Sequence, residues 1–249
     1  MILFGHRGAK GEAPENTLVG FQYVRMLGID AYELDLRLSA DEQLVVMHDA
    51  TVDRTTDASG PLSLFEAAEL ALLDARAEHP DWPARVGVPT LAQLLEAIPD
   101  ASQWELEIKS DAPDRMERIC RQLARMVEEF GLRGRATVTS FDPVALELIA
   151  AAAPELPRGF IARFDTPDSL ETARRLGCAR VGIPLATGSA EMTRAAQAAG
   201  IEVTGWPGNT PDGVRTLVGW GVDCITTDFP TMALEIMRGS QSVETTTAS

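Results

Sequence analysis

Short apolar segments rich in β-branched residues recur along the chain, and each is followed by a helix-like segment or a turn. Some of them alternate apolar and polar positions with a period of two, as YELDL and WELEIK do. Both features indicate β-strands. We predict eight strands, at residues 2–5, 31–36, 104–109, 136–140, 159–162, 180–183, 201–206 and 223–227.

The spacing of these strands predicts the fold. From the third strand onward, successive strands begin 21 to 32 residues apart, which is close to the minimum for a strand, a helix and two loops. Eight such units in 249 residues predict an α/β protein with a (β/α)₈ TIM barrel. A doubly wound sheet is the alternative, but it usually carries a GxGxxG loop after its first strand, and GHRGAKGEAP lacks that spacing.

The interval between the second and third strands is too long for one such unit. Residues 41–60 have the pattern of a hairpin arm and a loop, and short helices and the Pro-rich segment EHPDWPARVGVPT follow. We therefore expect a single barrel domain over residues 1–238, with a small inserted cap at about residues 50–90. Residues 239–249 are polar and lack periodicity, so we predict a disordered tail there.

Charged residues on two predicted strands share one face. Residues two apart in a strand point the same way, so Glu33 and Asp35 lie together, as do Glu105, Glu107 and Lys109. Helices cover the outside of a barrel, so we expect these charges near its carboxyl end, where barrel enzymes hold their polar groups. Three carboxylates at one rim repel one another unless a cation neutralises them. Oxygen ligands favour Mg²⁺ or Ca²⁺ over zinc.

Two of the three histidines end apolar segments. His6 follows ILFG, His48 follows LVVM, and a charged residue comes directly after each of them. Two imidazoles with pKa values near neutrality suit a proton donor and acceptor pair. We interpret His79, in EHPDWP, as a loop residue.

Composition narrows the class of protein. The chain has 22 Lys and Arg against 37 Asp and Glu, a formal charge of −15, which disfavours binding to nucleic acids and anionic membranes. Its three cysteines, Cys120, Cys178 and Cys224, have no CxxC spacing and are interpreted as reduced core thiols. No basic leader follows Met1 and no apolar window is long enough to span a membrane, so we expect a cytoplasmic protein without stable membrane anchoring. The pattern predicts no particular oligomeric state.

Several separated segments carry motifs in a consistent order. GHRGAKGEAPENTLVGF matches H-R-G … P-E-N-T, ELDLRLSADEQLVVMHD matches E-x-D … V-x-H-D, and LEIK matches E-x-K. The segments VDRTTDASG, VPTLAQLLEAI, TSFD and GVDCITTDFP continue the series. In these segments the chain resembles the glycerophosphodiester phosphodiesterase family, and the similarity extends to about Pro230.

The resemblance implies an activity and a set of site residues. It implies hydrolysis of small glycerophosphodiesters to glycerol 3-phosphate and an alcohol, with a divalent cation, Mg²⁺ or Ca²⁺, as cofactor. In that family the two motif histidines form the acid and base pair, the E-x-D and E-x-K carboxylates hold the ion, and the motif arginine and lysine contact the phosphate. These roles fall on His6 and His48 (catalysis), Glu33, Asp35 and Glu107 (metal), and Arg7 and Lys109 (phosphate).

The chain departs from the family pattern on the seventh strand. Family members usually read W-T-V-N there, whereas this chain reads WPGN, which keeps Trp206 and Asn209. We expect Trp206 to form an apolar wall against the substrate's glycerol, while Pro207 removes a backbone donor, so the departure affects substrate preference. Cys224 stands where glycine is common and is interpreted as core packing. Asp228 closes the eighth strand and receives no role.

Two other functions stay open at this point. The inserted residues Leu62, Leu64, Phe65 and Trp82 could form an apolar groove suited to a lysophospholipase D-like phosphodiesterase, or could pack beneath the cap. A barrel that has lost catalysis and only binds phosphorylated ligands is the other alternative. Such a protein would be expected to lack histidines or carboxylates of the motifs, and here all of them are present.

Overall fold

Eight parallel strands close into a barrel. The computed structural model describes residues 1–162 and 168–247, with side chains described up to residue 239. In the described ranges the strands are β1 (Ile2–His6), β2 (Ala31–Leu38), β3 (Leu44–Val46), β4 (Gln103–Ile108), β5 (Ala136–Ser140), β6 (Arg158–Ile161), β7 (Arg180–Pro184), β8 (Glu202–Trp206) and β9 (Cys224–Thr227). Neighbouring strands pair in the order β1-β9-β8-β7-β6-β5-β4-β2, β1 pairs with β2 to close the ring, and β3 adds to β2 in the antiparallel sense. The predicted TIM barrel is therefore confirmed.

Helices lie between the strands and begin at recognisable caps. The Thr17 side chain accepts a hydrogen bond from the Gly20 amide at the start of the first helix, and Thr90 forms a capping box with Gln93. In the described ranges the helices are α1 (Leu18–Met26), α2 (Ala67–Leu70), α3 (Leu91–Ala97), α4 (Pro113–Glu129), α5 (Pro143–Ala152), α6 (Ser169–Arg175), α7 (Ala190–Ala198), α8 (Pro211–Trp220) and α9 (Pro230–Thr247), with a 3₁₀ turn at Leu62–Leu64.

The main hydrophobic core lies between the strands and the surrounding helices. Alternate residues of β2 and β4 point away from the barrel axis and pack in this core. Six of these residues are 1% exposed or less: Tyr32, Leu34, Leu36, Trp104, Leu106 and Ile108. The Tyr32 and Trp104 rings pack with centroids 5.0 Å apart, and Phe21 of α1 lies 6.0 Å from Tyr32. Because the outward positions are apolar, the intervening polar residues of the same strands point into the barrel.

The base of the barrel and the cysteines are apolar. Phe4, Ala31 and Cys224 form a small buried cluster within the ring of strands. This agrees with the interpretation of Cys224 as a core-packing residue. All three cysteines are buried and unpaired. The interpretation of these residues as core thiols is confirmed.

The insertion after β2 has a core of its own. Val45 of β3 packs with Val52, Leu62 and other buried residues, and Phe65 packs against them. Trp82 instead packs against the main core, edge-on to Tyr23 at 6.4 Å. The hairpin arm predicted within residues 41–60 is therefore β3, and Leu62, Phe65 and Trp82 are packing residues.

The last helix extends further than the sequence pattern indicates. Helix α9 includes residues 239–247, where we predicted a disordered tail, and the backbone there is helical. No proline follows Pro230, so nothing in the sequence forces the helix to stop once it has begun. Residues 248–249 lie outside the described ranges, and the limits of the domain remain a prediction.

Among the described residues, no helix combines the length and apolar character that crossing a bilayer requires.

Candidate active site

Three carboxylates meet inside the carboxyl end of the barrel. Parallel pairing sets Asp35 of β2 beside Glu107 of β4, with Glu33 two residues before Asp35. One carboxylate oxygen of each residue lies within 4.8 Å of the other two. Glu33 and Glu107 are 5% exposed and Asp35 is fully buried. The structure thus brings together the three residues expected to hold a metal ion.

The ionisation of these carboxyls reflects their crowding. Burial raises the pKa of Glu33 well above its usual value, and the Asp35 and Glu107 charges raise it further. Burial, followed by the Asp35 charge, raises the pKa of Glu107 to about 7. Burial also opposes ionisation of Asp35, but Lys109 and Arg7 outweigh it and lower the Asp35 pKa. A divalent cation would allow all three to ionise, and their oxygen-only donor set fits Mg²⁺ or Ca²⁺.

Two cations contact the buried aspartate. Lys109 Nζ lies 2.8 Å from Asp35 Oδ1, and Arg7 Nε lies 3.0 Å from Asp35 Oδ2. Lys109 also hydrogen-bonds Glu107, and Arg7 Nη1 lies 3.4 Å from Glu15. Burial lowers the pKa of both cations, but these carboxylates outweigh it and raise the values above the usual ones. Both side chains therefore remain positively charged.

The backbone after β1 explains how adjacent residues reach one site. Successive side chains of a strand point to opposite faces, yet His6 and Arg7 line the same cavity. His6 is the last residue of β1, and Arg7 has a φ of 52°, in the left-handed region. This turn, with the Arg7 amide bonded to Glu33 Oε2 at 3.0 Å, directs both side chains to the carboxylates.

An aspartate orients His6. Asp228, directly after β9, hydrogen-bonds His6 Nδ1. Asn209 in turn donates to Asp228 Oδ2 at 2.7 Å and accepts from the Asp228 amide at 2.8 Å. His6 Nε2 lies 3.7 Å from Glu33 Oε2. The imidazole is thus held at Nδ1, with Nε2 on the side of the carboxylates.

A second aspartate orients His48. Asp49 Oδ1 lies 2.6 Å from His48 Nδ1, and Arg54 Nε donates to Asp49 Oδ2 at 2.6 Å. Two more hydrogen bonds of 2.8 Å join Arg54 to Glu15. Burial lowers the pKa of His48, and Lys109 and Arg7 act in the same direction, against the Asp35 charge and the Asp49 hydrogen bond. The net shift favours the neutral imidazole, which can accept a proton.

Several supporting residues were not identified from the sequence. The sequence pattern assigns no individual role to Asp228, Asp49, Arg54 or Glu15. Asn16, at a φ of 54°, donates to Asp35 Oδ2 at 2.8 Å. Their signal in the sequence is membership of the motif segments: P-E-N-T contains Glu15 and Asn16, V-x-H-D contains Asp49, VDRTTDASG contains Arg54 and GVDCITTDFP contains Asp228.

A cavity of about 260 Å³ lies among these groups. Six of the residues expected to act in the site line it, together with Trp206: His6, Arg7, Glu33, His48, Glu107 and Lys109. The Trp206 ring meets Phe141 edge-on at 5.9 Å. Leu62, Leu64, Phe65 and Trp82 do not line it, and His79 lies elsewhere, with Nε2 bonded to the Lys10 carbonyl at 2.8 Å.

Comparison with known proteins agrees with this geometry. The family model described as "Glycerophosphoryl diester phosphodiesterase family" matches residues 6–232. Glycerophosphodiester phosphodiesterases of Caldanaerobacter subterraneus and Bacillus altitudinis are each 29% identical over 238 residues, covering 95% and 94% of this chain and 98% and 97% of theirs.

Solved structures give the same result. A phosphodiesterase of Oleispira antarctica, in complex with the product sn-glycerol-3-phosphate, superimposes with a TM-score of 0.88 at 26% identity, covering 96% of this chain and 97% of that one. A glycerophosphodiester phosphodiesterase of Agrobacterium tumefaciens gives a TM-score of 0.81 at 28% identity, covering 94% and 98%.

Proposed function

The chain belongs to the glycerophosphoryl diester phosphodiesterase family, and on that premise we propose that it hydrolyses glycerophosphodiesters to glycerol 3-phosphate and an alcohol by a metal-dependent mechanism. The observation that carries the proposal is a cluster of three buried carboxylates beside a cavity that two oriented imidazoles line. A cytoplasmic location fits the three unpaired, buried cysteines.

Glu33, Asp35 and Glu107 would hold the divalent cation, Mg²⁺ or Ca²⁺. When bound, the ion would offset charge on the phosphate and lower the pKa of an attacking hydroxyl or water. The raised pKa values of Glu33 and Glu107 support this assignment, because crowded carboxyls that resist ionisation gain most from a nearby cation.

His6 and His48 would move the two protons of the reaction. One imidazole accepts the proton of the attacking oxygen as its bond to phosphorus forms. The other donates a proton to the alcohol oxygen as its bond to phosphorus breaks. Asp228 and Asp49 hold each ring through Nδ1, which leaves Nε2 for these transfers. The attacking oxygen is that of water, or a neighbouring glycerol hydroxyl in a first step that water then completes.

Arg7 and Lys109 would bind the phosphate, and Trp206 would form a wall for the organic part of the substrate. Both cations line the cavity and both contact Asp35, so their positions are fixed before substrate arrives. Preorganised charge of this kind stabilises a transition state without reorganisation during the reaction.

The test removes and restores the ion. Protein treated with a chelator should lose hydrolysis of glycerophosphocholine, glycerophosphoethanolamine and glycerophosphoglycerol, and dialysis into Mg²⁺, Ca²⁺ or Mn²⁺ should restore it. A Glu107→Gln variant should stay inactive under every ion. Full activity in the chelated protein, or no revival with any of the three ions, would contradict the assignment of the carboxylates.

A further inference from the structure

A second cavity lies beside the one that holds the candidate site. Its volume is about 570 Å³, within the usual range for small-molecule pockets. The two cavities share His48, Glu107 and Lys109, but of the described residues Trp206 lines only the smaller one. We call the larger one the outer cavity, and its lining residues include Arg37, His48, Glu107, Lys109, Ser110 and Phe141.

A phosphodiester carries two organic groups, and the two cavities offer one direction to each. The proposed function sets the glycerol against Trp206, in the smaller cavity. The alcohol part, on the other side of the phosphate, therefore extends past His48 and Lys109 into the outer cavity. The side chains that line the outer cavity then decide which alcohols fit.

Arg37 places a cation in the outer cavity. It stands on β2 two residues after Asp35, so both side chains leave the strand on the same face, with Arg37 nearer the carboxyl end. Its Nε donates to the His48 carbonyl at 2.8 Å, and its Nη1 donates to the Ser110 carbonyl at 3.5 Å. Both partners are uncharged backbone groups, so they hold the guanidinium in place without neutralising it. The remaining N–H donors of Arg37 have no hydrogen-bond partner among the described residues and are left for a ligand.

Arg37 lacks a counter-ion, although the chain has 37 acidic residues against 22 basic ones. In the described parts of the chain, no carboxylate forms a salt bridge with it. Four carboxylates are close enough to act on its charge, and each is paired with another cation: Asp111 with Arg115 at 3.0 Å, Asp49 with Arg54 at 2.6 Å, and Asp35 and Glu107 with Lys109. Arg37 is therefore the cation of the outer cavity whose charge a ligand can neutralise.

We propose that the outer cavity selects an alcohol that carries a carboxylate group, and that Arg37 determines this specificity. The inference rests on the proposed function and adds the class of alcohol to it. A planar guanidinium binds a carboxylate through two parallel hydrogen bonds. One unneutralised positive charge matches one carboxylate, whereas a phosphate monoester carries nearly two negative charges. An ammonium group, as in choline or ethanolamine, would meet the positive charges of Arg37 and Lys109, so esters of these alcohols are the poorer substrates.

The test compares three glycerol phosphodiesters, whose alcohols are glycolate, glycolamide and choline. Glycolate and glycolamide have nearly the same shape but differ in charge, because an amide replaces the carboxylate. In wild-type protein with Mg²⁺, kcat/KM for the glycolate diester should exceed that for the glycolamide diester by at least about 10-fold, the effect of one hydrogen bond to a charged group. The choline diester should have the lowest kcat/KM of the three.

Variants at Arg37 assign the preference to its charge. Arg37→Gln should lower the ratio of kcat/KM between the glycolate and glycolamide diesters by at least about 10-fold. A general loss of kcat, from the lost hydrogen bond to the His48 carbonyl, affects both diesters alike and cancels in this ratio. Arg37→Met keeps the apolar stem and should lower the ratio as much, while Arg37→Lys keeps the charge and should retain a higher ratio than either.

The matched control is Arg121→Gln. It removes one positive charge from α4, where Arg121 is 61% exposed and pairs with Glu117 at 3.1 Å. The control should therefore leave the ratio at its wild-type value. Equal kcat/KM for the glycolate and glycolamide diesters in the wild-type protein, or an unchanged ratio in Arg37→Gln and Arg37→Met, would overturn the proposal.

Calorimetry separates this proposal from the proposed function. In the His6→Ala background, with Mg²⁺ present, the dissociation constant of the glycolate diester should be at least about 10-fold lower than that of the glycolamide diester, and adding Arg37→Gln should remove the difference. If the wild-type protein cleaves none of the three diesters, the proposed function fails. These binding constants then still decide whether Arg37 recognises the carboxylate, and equal values for the two diesters would show that it does not.

Discussion

Asp35 determines the charge arrangement of the site at the scale of single residues. Its two oxygens receive Lys109 at 2.8 Å, Arg7 at 3.0 Å and the Asn16 amide at 2.8 Å. It is the ionised member of a cluster in which the pKa of Glu107 rises to about 7. Asp35 thus holds the side chains of Lys109 and Arg7 in position. Ionisation of Glu33 and Glu107 would be stabilised by a further cation.

The two imidazoles provide a direct mutational test. His6→Ala and His48→Ala should each lower kcat by at least about 10²-fold, because each removes one proton transfer. Both variants should keep the wild-type circular dichroism spectrum. The matched control is His79→Ala, which removes the remaining histidine, outside the site. Near-normal turnover in either site variant, or an equal loss in the control, would refute the assigned roles.

Residues of the site differ in how far the sequence predicts them. The period of two along β2 and β4 predicts that Glu33, Asp35 and Glu107 share the barrel interior. The partner of His6 is not predictable in this way, because Asp228 lies 222 residues away and meets it only when β9 pairs with β1. Contacts that depend on closure of the barrel have no local pattern.

At the scale of elements, the short strand β3 delivers His48 to the site. β3 pairs antiparallel with the last residues of β2, and the Met47 amide bonds the Asp35 carbonyl at 3.0 Å. His48 is the residue after Met47, so this backbone hydrogen bond to Asp35 sets where His48 lies. The insertion after β2 thus begins with a strand that positions a residue of the candidate site.

Arg54 links three elements, and its loss should loosen the loop that carries His48. It bonds Glu15 after β1, Asp49 after β3 and Glu78 in the insertion. Arg54→Gln should lower the free energy of unfolding by about 1.5–3 kcal/mol, the range for hydrogen bonds to charged groups. It should also lower kcat, though less than His48→Ala does.

The control for this prediction is Arg85→Gln. Arg85 belongs to the same insertion and pairs with Asp57 at 2.8 Å, but both side chains are about half exposed, at 59% and 47%. Exposed ion pairs contribute little to stability. The free energy of unfolding measured in urea, and kcat, should therefore remain close to the wild-type values. If Arg54→Gln left the free energy of unfolding and kcat as little changed as Arg85→Gln does, the hydrogen bonds of Arg54 would not be what holds His48 in place.

Elements with a strong pattern were predicted well, and the exceptions have a physical reason. All eight barrel strands lie where apolar runs occur, with ends shifted by a residue or two. Helix α9 continues through a polar stretch because its first residues pack on the barrel, Ala233 being fully buried. Tertiary packing of its first turns stabilises that helix, and this packing leaves no periodicity in the polar stretch.

At the scale of the whole molecule, an acidic protein must attract an anionic substrate. The formal charge is −15, which repels a phosphodiester at long range. At the candidate site, Arg7, Lys109 and a bound divalent ion would bring four positive charges close to the carboxylates Glu33, Asp35 and Glu107. They would offset part of the long-range repulsion of the anion.

The dependence of stability on pH follows from the carboxylates. Burial raises the pKa of Glu107 to about 7, so the stability that this carboxyl contributes is complete below about pH 4.5 and is lost as pH rises through about 7. The pKa of Glu33 is also raised, so its contribution is likewise lost as pH rises. A cation that binds the ionised cluster removes this penalty. Mg²⁺ should therefore raise Tm more at pH 8 than at pH 5.5, relative to protein with chelator.

Differential scanning calorimetry checks this prediction. Glu107→Gln supplies the comparison, because the amide cannot ionise. In that variant the gain in Tm from Mg²⁺ should be smaller and should change less between pH 5.5 and pH 8. If Mg²⁺ raised the Tm of the wild-type protein more at pH 5.5 than at pH 8, the prediction would be contradicted.

The measurement that tests the central claim most directly is anomalous diffraction from crystals of the wild-type protein grown with Mn²⁺, which emulates Mg²⁺ in oxygen sites. We predict one strong anomalous peak within bonding distance of Glu33, Asp35 and Glu107, with His6 and His48 on either side of it. Crystals of Glu107→Gln should show a weaker peak or none. Mn²⁺ bound elsewhere, with no peak among the three wild-type carboxylates, would contradict the account.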